Sequence, residues 1–235
     1  VLVCEHATPY IPASFENLGL SAATTKSHAA WDPGAMAVAR HLSETLDAVL
    51  IAATVSRLVY DCNRPPDAPD AMPARSEVID IPGNHALTPE QKATRIATCY
   101  EPFRKTLADR IALTRTPVIV TVHSFTPVFH GEKRTVEIGV LHDCDARLAD
   151  AMIDRAAHHT RAKVQRNQPY GPEHGVTHTL KEHATRHGHL NVMLEIRNDL
   201  ITTAPQQHEM AAMLAVWIAD ALAQSGVKGA VQCSV

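Results

Sequence analysis

Residues 118–122 read Val-Ile-Val-Thr-Val and lead directly into His123-Ser124. Side chains of a strand alternate between two faces, so a run that is apolar on both predicts a strand buried on both sides. Comparable runs occur at 1–4, ending on Glu5-His6, at 136–141, and at 190–196, which carries Glu195 and leads into Arg197. Further strands are expected at 48–54 and around Val164. Helical stretches separate these runs, and strands that need cover on both faces build a mostly parallel sheet with helices on each side. Ligands of such sheets bind beyond the carboxyl ends of the strands. The polar residues to examine there are His6, Arg64, His123 and Glu195.

The helices have recognisable ends. Asp32-Pro33-Gly34 looks like a helix start, with Asp32 as N-cap and Pro33 in the first turn. Thr88-Pro89-Glu90 opens a long helix to about residue 114, with a kink or break at Pro102. Helices are also expected at 145–159, at 177–188 with Gly188 as the stop, and at 205–225, where Met210, Met213, Leu214, Trp217, Ile218 and Leu222 form one apolar face. Residues 65–82 contain five prolines and predict a long irregular loop of the kind that closes over a site.

The chain has 235 residues, 45% of them hydrophobic, ample for one large core. No repeat or linker divides it, so residues 1–235 are expected to form a single domain. A net charge of −3 and a pI near 6.6 give no footprint for nucleic acid or an anionic membrane. No apolar run approaches the roughly 20 residues of a membrane span, and no signal peptide is visible. The five cysteines, Cys4, Cys62, Cys99, Cys144 and Cys233, are odd in number, scattered and without a CxxC pair. That argues for reduced thiols in a cytoplasmic protein. The chain opens at Val1 inside a strand, which points to residues missing ahead of it.

Two histidines at the same edge of one parallel sheet can bind a divalent metal, and a catalytic zinc site adds a third protein ligand and an open position. Asp32 is the candidate for that third ligand, against its alternative as a plain helix cap; Glu5 is the weaker candidate, because a neighbour along a strand points the other way. His28, one helical turn before Asp32, either orients it or is a surface residue. Glu195, desolvated at a strand end, suits a general base, or else it pairs with Arg197 two residues on. Arg57, Asn63 and Arg64 cluster in Ser-Arg-Leu-Val-Tyr-Asp-Cys-Asn-Arg, and guanidinium groups select carboxylates through paired hydrogen bonds.

The segments Cys-Glu-His-Ala (4–7), His-Ala-Ala-Trp-Asp-Pro-Gly-Ala (28–35), Ser-Arg-Leu-Val-Tyr-Asp-Cys-Asn-Arg-Pro (56–65), Val-His-Ser-Phe-Thr-Pro (122–127) and Glu-Ile-Arg-Asn-Asp-Leu (195–200) resemble, in order and spacing, the N-formylglutamate amidohydrolase family. That family is distantly similar to zinc carboxypeptidases and acyl-amino-acid hydrolases. The resemblance implies a phosphorylase/hydrolase-like, three-layer α/β/α fold on a mostly parallel mixed sheet. It implies one zinc held by His6, Asp32 and His123, with Glu195 activating water and Arg57 polarising the scissile carbonyl. It also implies that Asn63 and Arg64 grip a substrate carboxylate, with Arg197 holding another or pairing with Glu195. One departure stands out. The relatives carry His-x-x-Glu, whereas Pro9 lies three residues after His6, so the carboxylate ligand comes from elsewhere in the chain.

The expected activity is therefore metal-dependent hydrolysis of a small acidic N-acyl amino acid, N-formyl-L-glutamate first among them, with no nucleic acid or membrane partner. Two other classes compete. One is a thiol amidase using Cys62 or Cys4; the other is a binding protein of the same fold without turnover.

Overall fold

The structure is a computed structural model and describes residues 1–225. Six strands form its central sheet: β1 (Leu2–Cys4), β2 (Leu50–Ala52), β3 (Val118–Phe125), β4 (Ile138–Leu141), β5 (Val164–Arg166) and β6 (Leu190–Arg197). Their spatial order is β2-β1-β3-β6-β4-β5. The pairs β2–β1, β1–β3, β3–β6 and β4–β5 are parallel, whereas β6–β4 is antiparallel. The sheet is thus mostly parallel but mixed. Four parallel neighbours, β2, β1, β3 and β6, open their carboxyl ends onto one edge.

Helices α1 (Ala35–Thr45), α2 (Pro89–Arg95), α3 (Glu101–Ala112), α4 (Arg147–His159), α5 (His178–His183) and α6 (Ala204–Gln224) cover the sheet. Alternation along the strands sorts the cover into two cores. Leu2 and Cys4, Val120 and Val122, and Val192, Leu194 and Ile196 face α1, α4 and α6. Val3, Ile119 and Met193 face the opposite side, with Phe103, Leu107 and Leu180. Trp217 of α6 is fully buried and donates its Nε1–H to Met152 O at 2.7 Å, which satisfies the one polar group that its burial would otherwise strand. Thr203 and Gln206 make a capping box at the start of α6, with Pro205 in its first turn. No described helix is long and apolar enough to cross a membrane.

Several expectations change in detail. Asp32 does not cap a helix. Helix α1 begins at Ala35 after Gly34, whose φ of 84° is left-handed, and a Cβ at Gly34 would stand 2.6 Å from Ile201 O. The long helix expected from residue 88 is interrupted by a wide turn at Ile96–Tyr100, where the Glu101 N–H reaches back to Ile96 O. Pro102, lacking an N–H, follows this turn in the first turn of α3, so the chain widens before the proline rather than kinking at it. The loop at 65–82 contains a small hairpin, Arg75–Ser76 with Ile79–Asp80. The helix expected over 177–188 stops at His183 and continues as a 3-10 turn, Thr185–His187, into left-handed Gly188. Strand β4 runs against its neighbour β6, a direction that an apolar run does not encode.

Candidate active site

The register of the sheet sets the site. Glu195 of β6 lies opposite His123 of β3, and both occupy the strand face on which Met193 and Ile119 point into the same core. Glu5 continues that face from Val3 of β1. His6 follows on the turn leaving β1, and its carbonyl accepts the Asp32 N–H at 3.0 Å. That bond draws the segment before α1 back across the end of the sheet and delivers the Asp32 carboxylate between the two imidazoles.

His6 Nδ1, His123 Nδ1 and Asp32 Oδ2 form a triangle with sides of 3.1, 2.9 and 3.2 Å. A tetrahedral cation with ligand bonds of about 2.0–2.1 Å places its donors about 3.3 Å apart, so this triangle has the size of one face of such a shell. All three residues are buried, and together they make a donor set able to hold a metal ion. The far nitrogen of each ring meets a carboxylate. His6 Nε2 is 2.8 Å from Asp61 Oδ1, and His123 Nε2 is 3.1 Å from Glu5 Oε2, in ion-pair range but out of line for a hydrogen bond. A carboxylate beside Nε2 keeps the proton on that nitrogen and turns the Nδ1 lone pair inward. Two inward lone pairs 3.2 Å apart repel unless a cation lies between them. The donor set therefore fits a divalent metal such as zinc.

The electrostatics lead to the same conclusion. Glu5, Asp32, Asp61 and Glu195 bring four buried carboxyl groups to this end of the sheet. Arg57 answers two of them, with Nη2 on Asp61 Oδ2 at 2.9 Å and Nη1 at 3.5 Å from Asp32 Oδ1. Burial and the charge of Arg57 work to lower the pKa of His6, but Asp61 and Asp32 overcome them and raise it. Burial also disfavours charge on His123, yet Glu5 and Asp32 carry it well above the usual range. Asp32 would be raised by burial alone; His6 and His123 instead hold it far below an ordinary carboxylate. The cluster is built to be neutralised by positive charge.

Glu195 is tuned in the opposite direction. Burial pushes its carboxyl up to about 7 despite the pull of His123, and its Oε2 has no hydrogen-bond partner among the described residues. It lines a cavity of about 450 Å³ together with His6, Asp32 and His123. Two hairpins contribute to the cavity wall, the one at 75–80 and a second made by Val128–Phe129 and Glu132–Lys133. Glu77 ties them together, accepting the His130 N–H at 3.2 Å on one oxygen and lying 3.0 Å from His28 Nε2 with the other. His28 thus pairs with Glu77 and not with Asp32.

The arginines divide. Arg57 and Arg64 line the cavity; Arg197 does not. Arg197 is held by Asp199 at 2.8 Å and Glu137 at 3.3 Å, so it neither pairs with Glu195 nor faces the pocket, because the strand ends there and the side chain turns onto the following 3-10 turn. Arg64 donates from Nε to Asp70 at 2.6 Å and from Nη1 to Asn63 O and Gly175 O, which leaves Nη2 without a partner among the described residues. The Asn63 amide is committed at both ends, to Val176 O at 2.6 Å and the Thr179 N–H at 3.0 Å, and pins the segment leading into α5. Glu5 lies behind His123 rather than in the donor triangle. Cys4 and Cys62 are buried in the two cores, away from the cavity lining, and burial pushes both thiols well above their usual pKa, so neither is placed as a nucleophile. Cys233 lies outside the described residues.

The sequence pattern does not single out three further residues: Asp61, which backs His6, and Tyr170 and Arg134, which line the cavity. Asp61 carried a faint signal, standing two residues before Asn63 in the arginine cluster. Arg134 carried none, since Gly131-Glu-Lys-Arg134 reads as an ordinary polar turn.

The N-formylglutamate amidohydrolase family model matches residues 1–202. A crystal structure of a gene product of Agrobacterium tumefaciens is similar over 97% of this chain and 91% of its own, with 53% identity and a TM-score of 0.93. The crystal structure of N-formylglutamate amidohydrolase from Ralstonia eutropha shares the fold, with a TM-score of 0.62 at 19% identity over 96% of this chain and 94% of its own. No curated protein matches the sequence.

Proposed function

The chain belongs to the N-formylglutamate amidohydrolase family, and from that membership and the geometry of the pocket we propose that it hydrolyses the amide of a small acidic N-acyl amino acid, N-formyl-L-glutamate foremost, to formate and the free amino acid. One observation carries the reading. The donor triangle of His6, Asp32 and His123 shares a cavity with Arg57 and with a raised Glu195 whose Oε2 has no partner among the described residues. A divalent metal at the triangle, zinc by the character of its nitrogen and oxygen donors, would supply Lewis-acid polarisation and a water of lowered pKa.

The chain's own residues do the rest. Glu195 accepts a proton from the attacking water and delivers it to the departing amine nitrogen as the carbon–nitrogen bond breaks. Its buried, raised carboxyl suits both transfers. Arg57 is held by Asp61 and Asp32 with its side chain 30% exposed, and it donates to the carbonyl oxygen as that oxygen gains charge. The unpartnered Nη2 of Arg64 receives one substrate carboxylate, while Asn63 fixes the wall beside it. The hairpin at 75–80 closes the pocket from above and excludes water. The four described cysteines are free, which supports placing the protein in the reducing cytoplasm.

The test is formate release from N-formyl-L-glutamate by the zinc-loaded protein, before and after chelation. Turnover that chelator abolishes and zinc restores supports the proposal. An undiminished rate in chelator, or binding of the substrate with no formate released, overturns it.

A further inference from the structure

Three arginines line the cavity, two of them already neutralised, and Arg197, outside it, is neutralised as well. Arg57 faces Asp61 and Asp32, Arg64 faces Asp70, and Arg197 faces Asp199 and Glu137. Arg134 is the exception. No carboxylate among the described residues lies within 4.0 Å of it, although it is half-buried and lines the cavity. Instead its guanidinium sits over three aromatic rings, 4.4 Å from the centroid of Phe129, 4.8 Å from Tyr170 and 5.5 Å from Phe125. Nη2 donates to the Tyr170 hydroxyl at 3.0 Å and Nη1 to Thr126 O at 3.4 Å.

This arrangement orients a cation without discharging it. Aromatic faces attract a guanidinium and fix its plane, but they carry no net charge to oppose it. The base of the same cavity is rich in carboxylates, so an anionic ligand enters only if the walls offer it positive charge. A substrate with two carboxylates needs two such points, and Arg64 has a single free nitrogen to give. Resting on the function proposed above, we propose that Arg134 is a specificity-determining residue that binds one carboxylate of a dicarboxylic N-acyl amino acid, with Phe129, Tyr170 and Phe125 as the frame that holds it in place.

The experiment compares the zinc-loaded wild type with Arg134→Met and Arg134→Lys on N-formyl-L-glutamate and its two mono-amides, N-formyl-L-glutamine and N-formyl-L-isoglutamine. Loss of a charge-assisted hydrogen bond is expected to raise KM for N-formyl-L-glutamate by about 10- to 100-fold, the larger part of the loss falling on KM. In Arg134→Met the preference for the dicarboxylate over one of the mono-amides collapses toward unity, and the amide affected identifies the carboxylate bound. Arg134→Lys recovers part of that preference. A preference that survives in Arg134→Met against both mono-amides overturns the assignment. A second arm needs no turnover. Calorimetry with glutarate is expected to show binding to the wild type that weakens at least about tenfold in Arg134→Met. If the wild type hydrolyses none of the three amides, the function proposed above fails by itself, and the glutarate arm decides for or against Arg134: weakening supports it, and equal or absent binding overturns it.

Discussion

Glu195 and His123 are register partners on adjacent parallel strands, so the candidate base and one of the candidate metal donors are held by the same ladder of backbone hydrogen bonds. A slip of one residue between β6 and β3 would send Glu195 to the face opposite His123 and part the two side chains. Loops can supply chemistry, but they seldom fix two groups relative to each other this firmly. The relationship makes Glu195 the residue whose removal should cost the most activity with the least structural change.

Glu195→Gln is accordingly expected to lower kcat by about 10²- to 10⁴-fold while keeping its metal and its melting temperature. Only the ionised carboxylate accepts a proton, so wild-type kcat/KM should rise with pH. The midpoint of that rise should lie at or below about 7, since burial lifts the carboxyl to about 7 and a bound cation would draw it back. Steady-state rates of formate release across pH 4–9, with metal analysis of the variant, check both statements.

His123→Ala removes one corner of the donor triangle. The protein as purified with zinc in the medium should contain about one metal per chain. The variant should contain almost none and should show no measurable turnover. Elemental analysis by mass spectrometry reads the first quantity directly. A variant that keeps a full equivalent of metal would locate the ion somewhere else.

Asp61→Asn tests the support behind His6. The amide can still accept a hydrogen bond from Nε2, but it no longer offers charge to the ring or to Arg57. Metal affinity is expected to fall about 10- to 100-fold while the fold persists, as is usual when a carboxylate behind a ligating imidazole is lost. Competition against a fluorescent zinc chelator measures it, and an unchanged affinity would show that Asp61 serves Arg57 alone.

His183 gives the stability a pH dependence set mainly by burial rather than by the site. Burial in α5 lowers its pKa to about 4, against roughly 6.5 in an unfolded chain. The folded state therefore binds this proton less readily than the unfolded state. The resulting stability is fully present above pH 6.5 and is lost as pH falls toward 4, by at most about 3 kcal/mol. Urea denaturation at pH 8.0, 6.0 and 4.5 should show a steeper decline for the wild type than for His183→Gln.

The residues legible in the sequence were those that interrupt an apolar pattern. His6, His123 and Glu195 stand out because polar groups at the ends of doubly buried strands need a reason to be there. Asp32 is ambiguous in the sequence, since Asp-Pro-Gly is also how helices begin; the bond from its N–H to the His6 carbonyl and the Ser124 N–H on its carboxylate turn it inward. Glu5 reads as the weaker ligand candidate because neighbours along a strand point apart. The alternation is real, but it places Glu5 behind His123. Asp61 and Arg134 depend on contacts made across long sequence separations, His6 to Asp61 over 55 residues and Arg134 to Tyr170 over 36, and no local pattern records them. Strand direction is equally silent: the family resemblance implies a mixed sheet, but nothing in residues 136–141 marks β4 as the strand that runs the other way.

The place of β6 in the sheet has a consequence for how the protein is made. This strand is the last of the six along the chain, yet it lies between β3 and β4. Until residues 190–197 leave the ribosome, the sheet can form only as two separate halves with unpaired inner edges, β2-β1-β3 and β4-β5. His6, Asp32 and His123 are all synthesised by then; Glu195 is not. The nascent chain can therefore gather its candidate metal donors before it owns the candidate base, and its two open edges are where a chaperone or a stray strand would bind.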